Sequence, residues 1–245
     1  MAHKKAVHKS SHSSGKTENA NARVATDIQG FDKLCSGGFV SNSMNLVVGN
    51  AGAGKTTFGL QFLYNGAKKG ENGVYVSLEP EVEDLKRGAK KQGMDFESVK
   101  DKVEFIKFTP DMAFRDMTSR IAAAVKKNHA KRVVLDSINV IALELPTEGA
   151  NNQRKRMYEI FGSLKPLGIC LVLLGEAEEE GSEGQKMESE VTFAKFMSDS
   201  VVELYSSGLG GSGDRAVRIA KMRESEHERG PVGMKITDKG IVVLK

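Results

Sequence analysis

The chain has 245 residues, 39% of them hydrophobic, enough for a substantial core in a single α/β domain of ordinary size. Its two cysteines, Cys35 and Cys170, are far apart and lack C-x-x-C spacing, which argues against a disulfide scaffold or thiolate metal site and for a reducing compartment. The formal net charge is +4, but four lysines (4, 5, 9 and 16) against Glu18 put +3 of it in residues 1–22, and the remaining +1 is small for a dedicated DNA binder.

No run approaches the ~18 apolar residues of a membrane span, and the polar N-terminus lacks a signal-peptide pattern. The expectation is a soluble, cytoplasmic protein without a membrane partner. Residues 1–22, rich in Lys, His, Ser, Asn and Ala, carry too little apolar surface to fold alone and are predicted to form a disordered basic tail. His3, His8 and His12 fit a solvated tail better than a metal site. The folded domain is expected over 23–245, where strand and helix signals alternate and favour a mostly parallel sheet flanked by helices.

Met44–Val48 is an apolar strand, followed by Gly49-Asn50-Ala51-Gly52-Ala53-Gly54-Lys55-Thr56, a complete G-x-x-x-x-G-K-[ST] phosphate loop, and then Thr57. The glycines let successive N–H groups turn inward toward a phosphate at the positive end of the next helix. Lys55 is positioned to reach β- and γ-phosphates, and the Thr56 hydroxyl to ligate Mg²⁺. Phe58, Leu60, Phe62 and Leu63 carry that helix, which Asn65-Gly66 or Gly70 would close. Strand, loop, helix is the order that distinguishes a nucleotide site from a glycine turn preceding a lysine.

A strand at 73–78 follows, then a helix whose first turn is expected at Pro80, with Glu81, Glu83 and Asp84 near its positive end. Val82, Leu85 and Ala89 form its inward stripe and Gly93 ends it. Val103–Phe108 is a strand, 112–128 a helix with Met117, Ile121 and Val125 at i, i+4, i+8, and 132–136 a buried strand. A helix over 154–167 leads to the central strand 169–174. The late strands 201–205, 216–222 and 234–244, with glycine-rich turns such as 208–213, read as antiparallel strands closing the sheet. There is no internal repeat and no second phosphate loop.

Asp136 ends an apolar strand at the carboxyl edge of the sheet, where open α/β folds bind ligands, and suits a water-mediated Mg²⁺ contact better than a simple strand-end cap. Glu79 ends the strand after the phosphate-loop helix. If that strand lies beside the phosphate-loop strand, the carboxylate faces the γ-phosphate and can orient an attacking water; it can equally cap the helix that follows. Lys221 and Arg223, two apart on a strand, share a face with Val217 and Ile219. On an edge strand such cations are usually solubility devices.

The residues taken together resemble the KaiC branch of the RecA/RadA ATPases, in particular its single-domain archaeal and bacterial proteins. Carrying the resemblance are Gly30-Phe31-Asp32-Lys33-Leu34 with Gly37-Gly38, the phosphate loop continuing through Gln61-Phe62-Leu63-Tyr64-Asn65-Gly66, Val76-Ser77-Leu78-Glu79, and Leu135-Asp136-Ser137. Phe196-Met197-Ser198-Asp199, Lys221-Met222-Arg223 with Ser225 and His227, and Ile236–Ile241 complete it, in family order across 24–245. The resemblance implies a RecA-like P-loop NTPase core that assembles head to tail, usually as a hexameric ring, with Mg²⁺ and ATP at each subunit interface. It assigns Glu79 as the catalytic carboxylate and makes Lys221 and Arg223 the pair that reaches a neighbour's γ-phosphate, with His227 nearby.

Three departures stand out. Pro80 replaces the second of two adjacent acidic residues usual in the family, which points to slow or altered turnover. Lys195 and Phe196 fall where the clock proteins carry their phosphate-accepting hydroxyls, so clock-type autophosphorylation is not expected. The acidic segment 176–183, in the region facing the channel of RecA-type rings, would repel a nucleic-acid backbone, with Lys186 and Lys195 softening that effect. The favoured expectation is an ATP-hydrolysing oligomeric switch acting on an unidentified protein partner. The alternatives are a RadA-type recombination accessory binding single-stranded DNA, and an ATP-binding regulator without turnover.

Overall fold

The computed structural model describes residues 22–109, 114–143, 150–177, 190–211 and 213–245. The strands are β1 Arg23–Val24, β2 Phe39–Val40, β3 Met44–Gly49, β4 Gly73–Ser77, β5 Val103–Lys107, β6 Arg132–Asp136, β7 Cys170–Glu176, β8 Ser200–Ser206, β9 Arg215–Met222, β10 Val232–Thr237 and β11 Gly240–Val243. The helices are α1 Lys55–Lys68, α2 Val82–Lys91, α3 Phe114–Asn128, α4 Ile138–Leu143, α5 Ala150–Leu164 and α6 Glu190–Met197. Nine strands form one sheet in the order β11-β10-β9-β8-β3-β7-β6-β4-β5. The six from β8 to β5 are mutually parallel, and β9, β10 and β11 add antiparallel pairs. The mixed α/β architecture is the one expected. A separate antiparallel pair, β1 with β2, tucks the start of the domain against it.

Period-two alternation sends one set of strand residues to each face. Val47, Val134, Val172 and Leu174 pack with α1 in one core, and Leu46, Val48, Leu135 and Leu173 pack with α3 and α5 in the other. α1 buries Phe58 and Phe62, whose rings meet Phe31 and Phe39 at centroid distances of 5.1 to 6.3 Å. Its far half is held by Arg132, only 2% exposed, which donates to Glu71 Oε2 (2.6 Å) and the Phe62 carbonyl (2.9 Å). Gly66 makes room for this guanidinium, since a Cβ there would stand 2.3 Å from Arg132 Nε. The helix runs past Gly66 and stops before Gly70, whose φ is +86°. Cys35 and Cys170 are free and buried among apolar groups, and burial pushes both thiols up to about 12.

Four expectations are corrected. α2 starts at Val82 with Glu81 as its N-cap, so Pro80 precedes the helix instead of opening it; Glu83 and Asp84 occupy the first turn. β8, counted with the antiparallel closing strands, is antiparallel to β9 but runs parallel to β3, so strand direction reverses at the glycine-rich β8–β9 turn itself. β9 is interior, between β8 and β10. Finally, its register against β8 shifts between Val201 and Val202: Val202 pairs with Ile219 but Val201 with Lys221, leaving Ala220 as an extra residue. Such a bulge inverts the facing of everything beyond it. Met222, not Lys221, therefore joins Val217 and Ile219 in the core. The predicted tail lies outside the described residues apart from Ala22, as do residues 178–183 of the acidic segment and 112–113 of the predicted third helix.

Candidate nucleotide site

Gly49 closes β3 against β8, where a Cβ would lie 2.4 Å from the Leu204 carbonyl oxygen. Gly52 and Gly54 adopt φ of +73° and +104°, a conformation costly for other residues. The loop is cross-tied to its surroundings. Asn50 donates through Nδ2 to the Ser206 carbonyl (2.7 Å) and accepts the Ser206 N–H (3.1 Å), while Ala53 N–H donates to the Asn50 carbonyl (3.1 Å). Ala51 and Gly52 stay exposed at the tip, and Ala53 is fully buried beneath it.

Lys55, the first residue of α1, folds back over the loop and donates to the Gly49 (2.8 Å) and Asn50 (3.0 Å) carbonyls. Burial lowers its pKa, opposed by the carboxylates of Glu176, Asp136 and Glu79. Thr56 follows, donating its hydroxyl to Asp136 Oδ2 at 2.9 Å, with Thr57 next in the same turn. Asp136 is 6% exposed and also accepts the Tyr75 hydroxyl at 2.5 Å. Burial raises the Asp136 pKa, and the hydrogen bonds from Tyr75 and Thr56 pull it back down. Thr56 and Asp136 thus offer two hard oxygens side by side. Among the described residues no three His, Cys, Asp or Glu side chains cluster. That fits Mg²⁺, which binds through one or two protein oxygens, substrate phosphates and water, and it does not suit an all-protein metal cage.

Glu79 is brought to the same cluster by a route other than the one expected. β4 is not beside β3; β7 and β6 intervene. The carboxylate instead accepts the Ser137 hydroxyl at 2.7 Å, immediately after Asp136, while its side chain stays exposed. The β4–α2 connection is fixed by Lys107 at the end of β5, which donates to the Glu79 (2.7 Å) and Pro80 (3.1 Å) carbonyls and pairs with Glu81 at 3.4 Å.

Three site residues escaped the sequence reading. Glu176 ends β7, one of the two strands beside β3, and its carboxylate is 4.0 Å from Lys55 Nζ. Its place at the end of an apolar run matched that of Asp136, but it had been grouped with the acidic segment. Tyr75 had a weaker signal, a phenol inside an otherwise apolar strand. Lys107 had none beyond its position at a strand end.

Lys221 and Arg223 lie at the opposite end of the sheet. Lys221 Nζ donates to the carbonyls of Lys195 (3.1 Å), Phe196 (3.1 Å) and Ser198 (2.7 Å), capping α6. Arg223, just past β9 and exposed, donates to the Phe196 carbonyl at 3.3 Å and pairs with Asp199 at 3.5 Å. Asp199 in turn accepts the N–H of Met44, the first residue of β3. Five strand rises of about 3.3 Å separate that level from Gly49, roughly 16 Å. Neither cation joins the Thr56–Asp136–Glu79 cluster of its own chain. His227, four residues further along, is half-exposed.

Comparison with known proteins shows the family and the fold. The family model for the KaiC ATPase matches residues 24–245. The circadian clock oscillator protein KaiC of Parasynechococcus marenigrum is 30% identical over 243 residues, covering 94% of this chain and 46% of the relative. The circadian clock protein KaiC2 of Synechocystis is 30% identical over 234 residues, covering 91% of this chain and 40% of that one. The chain therefore spans about half the length of the curated relatives it matches. A crystal structure of a KaiC-like protein from the archaeon Pyrococcus horikoshii superposes with a TM-score of 0.81 at 34% identity, covering 92% of this chain and 100% of the other.

Proposed function

The chain belongs to the KaiC ATPase family, and from that premise we propose that it is a Mg²⁺-dependent ATP-hydrolysing switch that assembles head to tail and uses its nucleotide state to control binding of a protein partner. The observation that carries the proposal is the separation of two half-sites. The phosphate loop, Thr56, Asp136 and Glu79 converge at one end of the sheet, and Lys221 and Arg223 stand roughly 16 Å away at the other. A triphosphate on the loop is completed by cations from the next protomer, most economically in a closed ring such as a hexamer.

In this reading the loop's backbone N–H groups, other than that of Ala53, and the Lys55 ammonium bind the phosphates, with Lys55 exchanging its loop carbonyls for phosphate oxygens. Thr56 and Asp136 are the residues that would hold Mg²⁺, which would supply charge neutralisation for the phosphates. Glu79, oriented by Ser137, accepts a proton from the attacking water as it adds in line to the γ-phosphorus. The neighbour's Arg223, with Lys221 exchanging its α6 carbonyls for phosphate oxygens, stabilises charge on the transferring oxygens, so turnover rises only when protomers dock.

Phosphate release from the purified chain with Mg²⁺-ATP tests this, together with light scattering on the same sample. The expected outcome is turnover in an oligomer, lost in Lys55→Ala and Arg223→Ala. Full activity in a monomeric Arg223→Ala protein would remove the interface from the mechanism. Binding of ATP with no ADP formed on long incubation would leave a regulator without turnover, and ATPase stimulation by single-stranded DNA would favour the recombination reading.

A further inference from the structure

Two apolar features remain unused by this mechanism, and they sit at opposite ends of the β8–β9 ladder. The first is Leu209, 90% exposed, the most exposed large hydrophobic side chain among the described residues. It stands at the tip of the β8–β9 hairpin, whose turn is internally braced. Asp214, 9% exposed, accepts the Ser207 hydroxyl (2.8 Å) and the Gly210 N–H (3.2 Å), while Leu209 N–H donates to Ser207 Oγ (3.3 Å). The stem of this hairpin is bonded to the phosphate loop through Asn50 and Ser206. The turn holds a leucine out into water beside the nucleotide site.

The second is a groove of about 590 Å³ between α5 and α6, walled by Tyr158, Phe161, Phe193, Phe196 and Met197 and bounded by Arg223. Tyr158 and Phe196 are 60% and 70% exposed, and the Tyr158 ring meets Phe193 edge-on at 5.9 Å. Exposed aromatic surface of this kind marks an interaction site. Lys165 joins Arg223 in lining the groove, whereas exposed carboxylates, Glu79 and Glu176, stand at the phosphate-loop end.

We propose that the occupant of the groove is a second copy of this chain, and that the Leu209 hairpin of one protomer seats between Tyr158 and Phe196 of the next. This rests on the head-to-tail reading above and deepens it. Arg223 belongs to both the groove and the cation pair, and the hairpin and phosphate loop are bonded together. Any docking that delivers Arg223 to a neighbour's phosphates therefore brings the groove toward that neighbour's hairpin, and sets basic rim against acidic edge. The contact is heterologous, a knob and a socket on different surfaces, so it propagates until a ring closes.

Cysteine cross-linking of the full chain with a Mg²⁺-bound, non-hydrolysable ATP analogue tests the pairing. Both native cysteines are buried, leaving introduced ones as the accessible thiols. The double variant Leu209→Cys/Phe196→Cys should oxidise to a ladder of covalent oligomers, while a mixture of the two single variants should stop at heterodimers. Phe196→Glu and Leu209→Glu, both at exposed positions, should each weaken assembly at least tenfold by sedimentation. Cross-linking of Phe196→Cys only to itself, or assembly unchanged in both glutamate variants, would overturn the pairing. Either of those results from the variants, with wild-type protein hydrolysing ATP through Arg223, would overturn this inference alone. A wild-type chain that neither assembles nor hydrolyses ATP would remove the head-to-tail reading itself.

Discussion

At the carboxyl ends of the parallel strands, Thr56, Tyr75, Asp136, Glu79 and Ser137 hold one another through hydrogen bonds contributed by α1, β4, β6 and the connections that follow those strands. At the other end of the sheet, Arg223 is exposed and Lys221 is spent on the carbonyls that end α6. The first region is assembled within one chain and needs only its ligand. The second has charge but no local substrate to act on. Half of the proposed chemistry is therefore a folding product and half an association product, and substitutions at the two ends should fail differently.

The sharpest test is Arg223→Ala, expected to lower turnover about 10³-fold, in the range of cations supplied in trans, with ATP affinity nearly unchanged by equilibrium binding. A matching fall in affinity would mean that Arg223 acts on the ground state. Glu79→Gln should cost about 10²-fold in turnover while preserving both ATP binding and assembly, measured by single-turnover phosphate release. Wild-type rates in that variant would move the role of base elsewhere, with Glu176 the next carboxylate to substitute.

Asp136→Asn should have opposite effects on function and stability. Mg²⁺-dependent nucleotide affinity should fall by about tenfold, roughly 1.4 kcal/mol. Because burial raises the Asp136 pKa, the folded chain keeps its proton to higher pH than the unfolded chain does. Stability is therefore lost as pH rises through the folded value and regained as it falls toward the ordinary one. Removing the charge should raise the ligand-free melting temperature at neutral pH by a few degrees, about 2–4 °C per kcal/mol, in calorimetry. Tyr75→Phe is the mildest change. It deletes one donor to the Asp136 carboxylate, costs about 1 kcal/mol, and shifts the acid limb of nucleotide binding to higher pH.

What was legible in the sequence was local. The phosphate loop was, because glycine conformation, a lysine and a hydroxyl at fixed spacing leave few alternatives. So was Asp136, because an acid closing an apolar strand has few reasons to be there. Non-local geometry was harder to read. Strand order is not carried by any one segment, so Glu79 was linked to a strand adjacency that does not exist, while Glu176, on a strand that does flank β3, passed unnoticed. The facing of Lys221 was misjudged because a period-two rule cannot anticipate one extra residue at Ala220. Pro80 suited a first helical turn on propensity, but α2 starts two residues later, after Lys107 has bound the carbonyls of Glu79 and Pro80.

The β8–β9 ladder has a mechanical consequence. Hydrogen-bonded strands resist stretching far more than loops do, so the spacing between the phosphate loop and Arg223 works as a gauge block of fixed length. Lengthening the hairpin turn leaves that gauge unchanged. Extending it would take matched two-residue insertions in β9, β8 and the β3 strand paired to them, about 7 Å in all, enough to put every cation out of step with the neighbouring nucleotide.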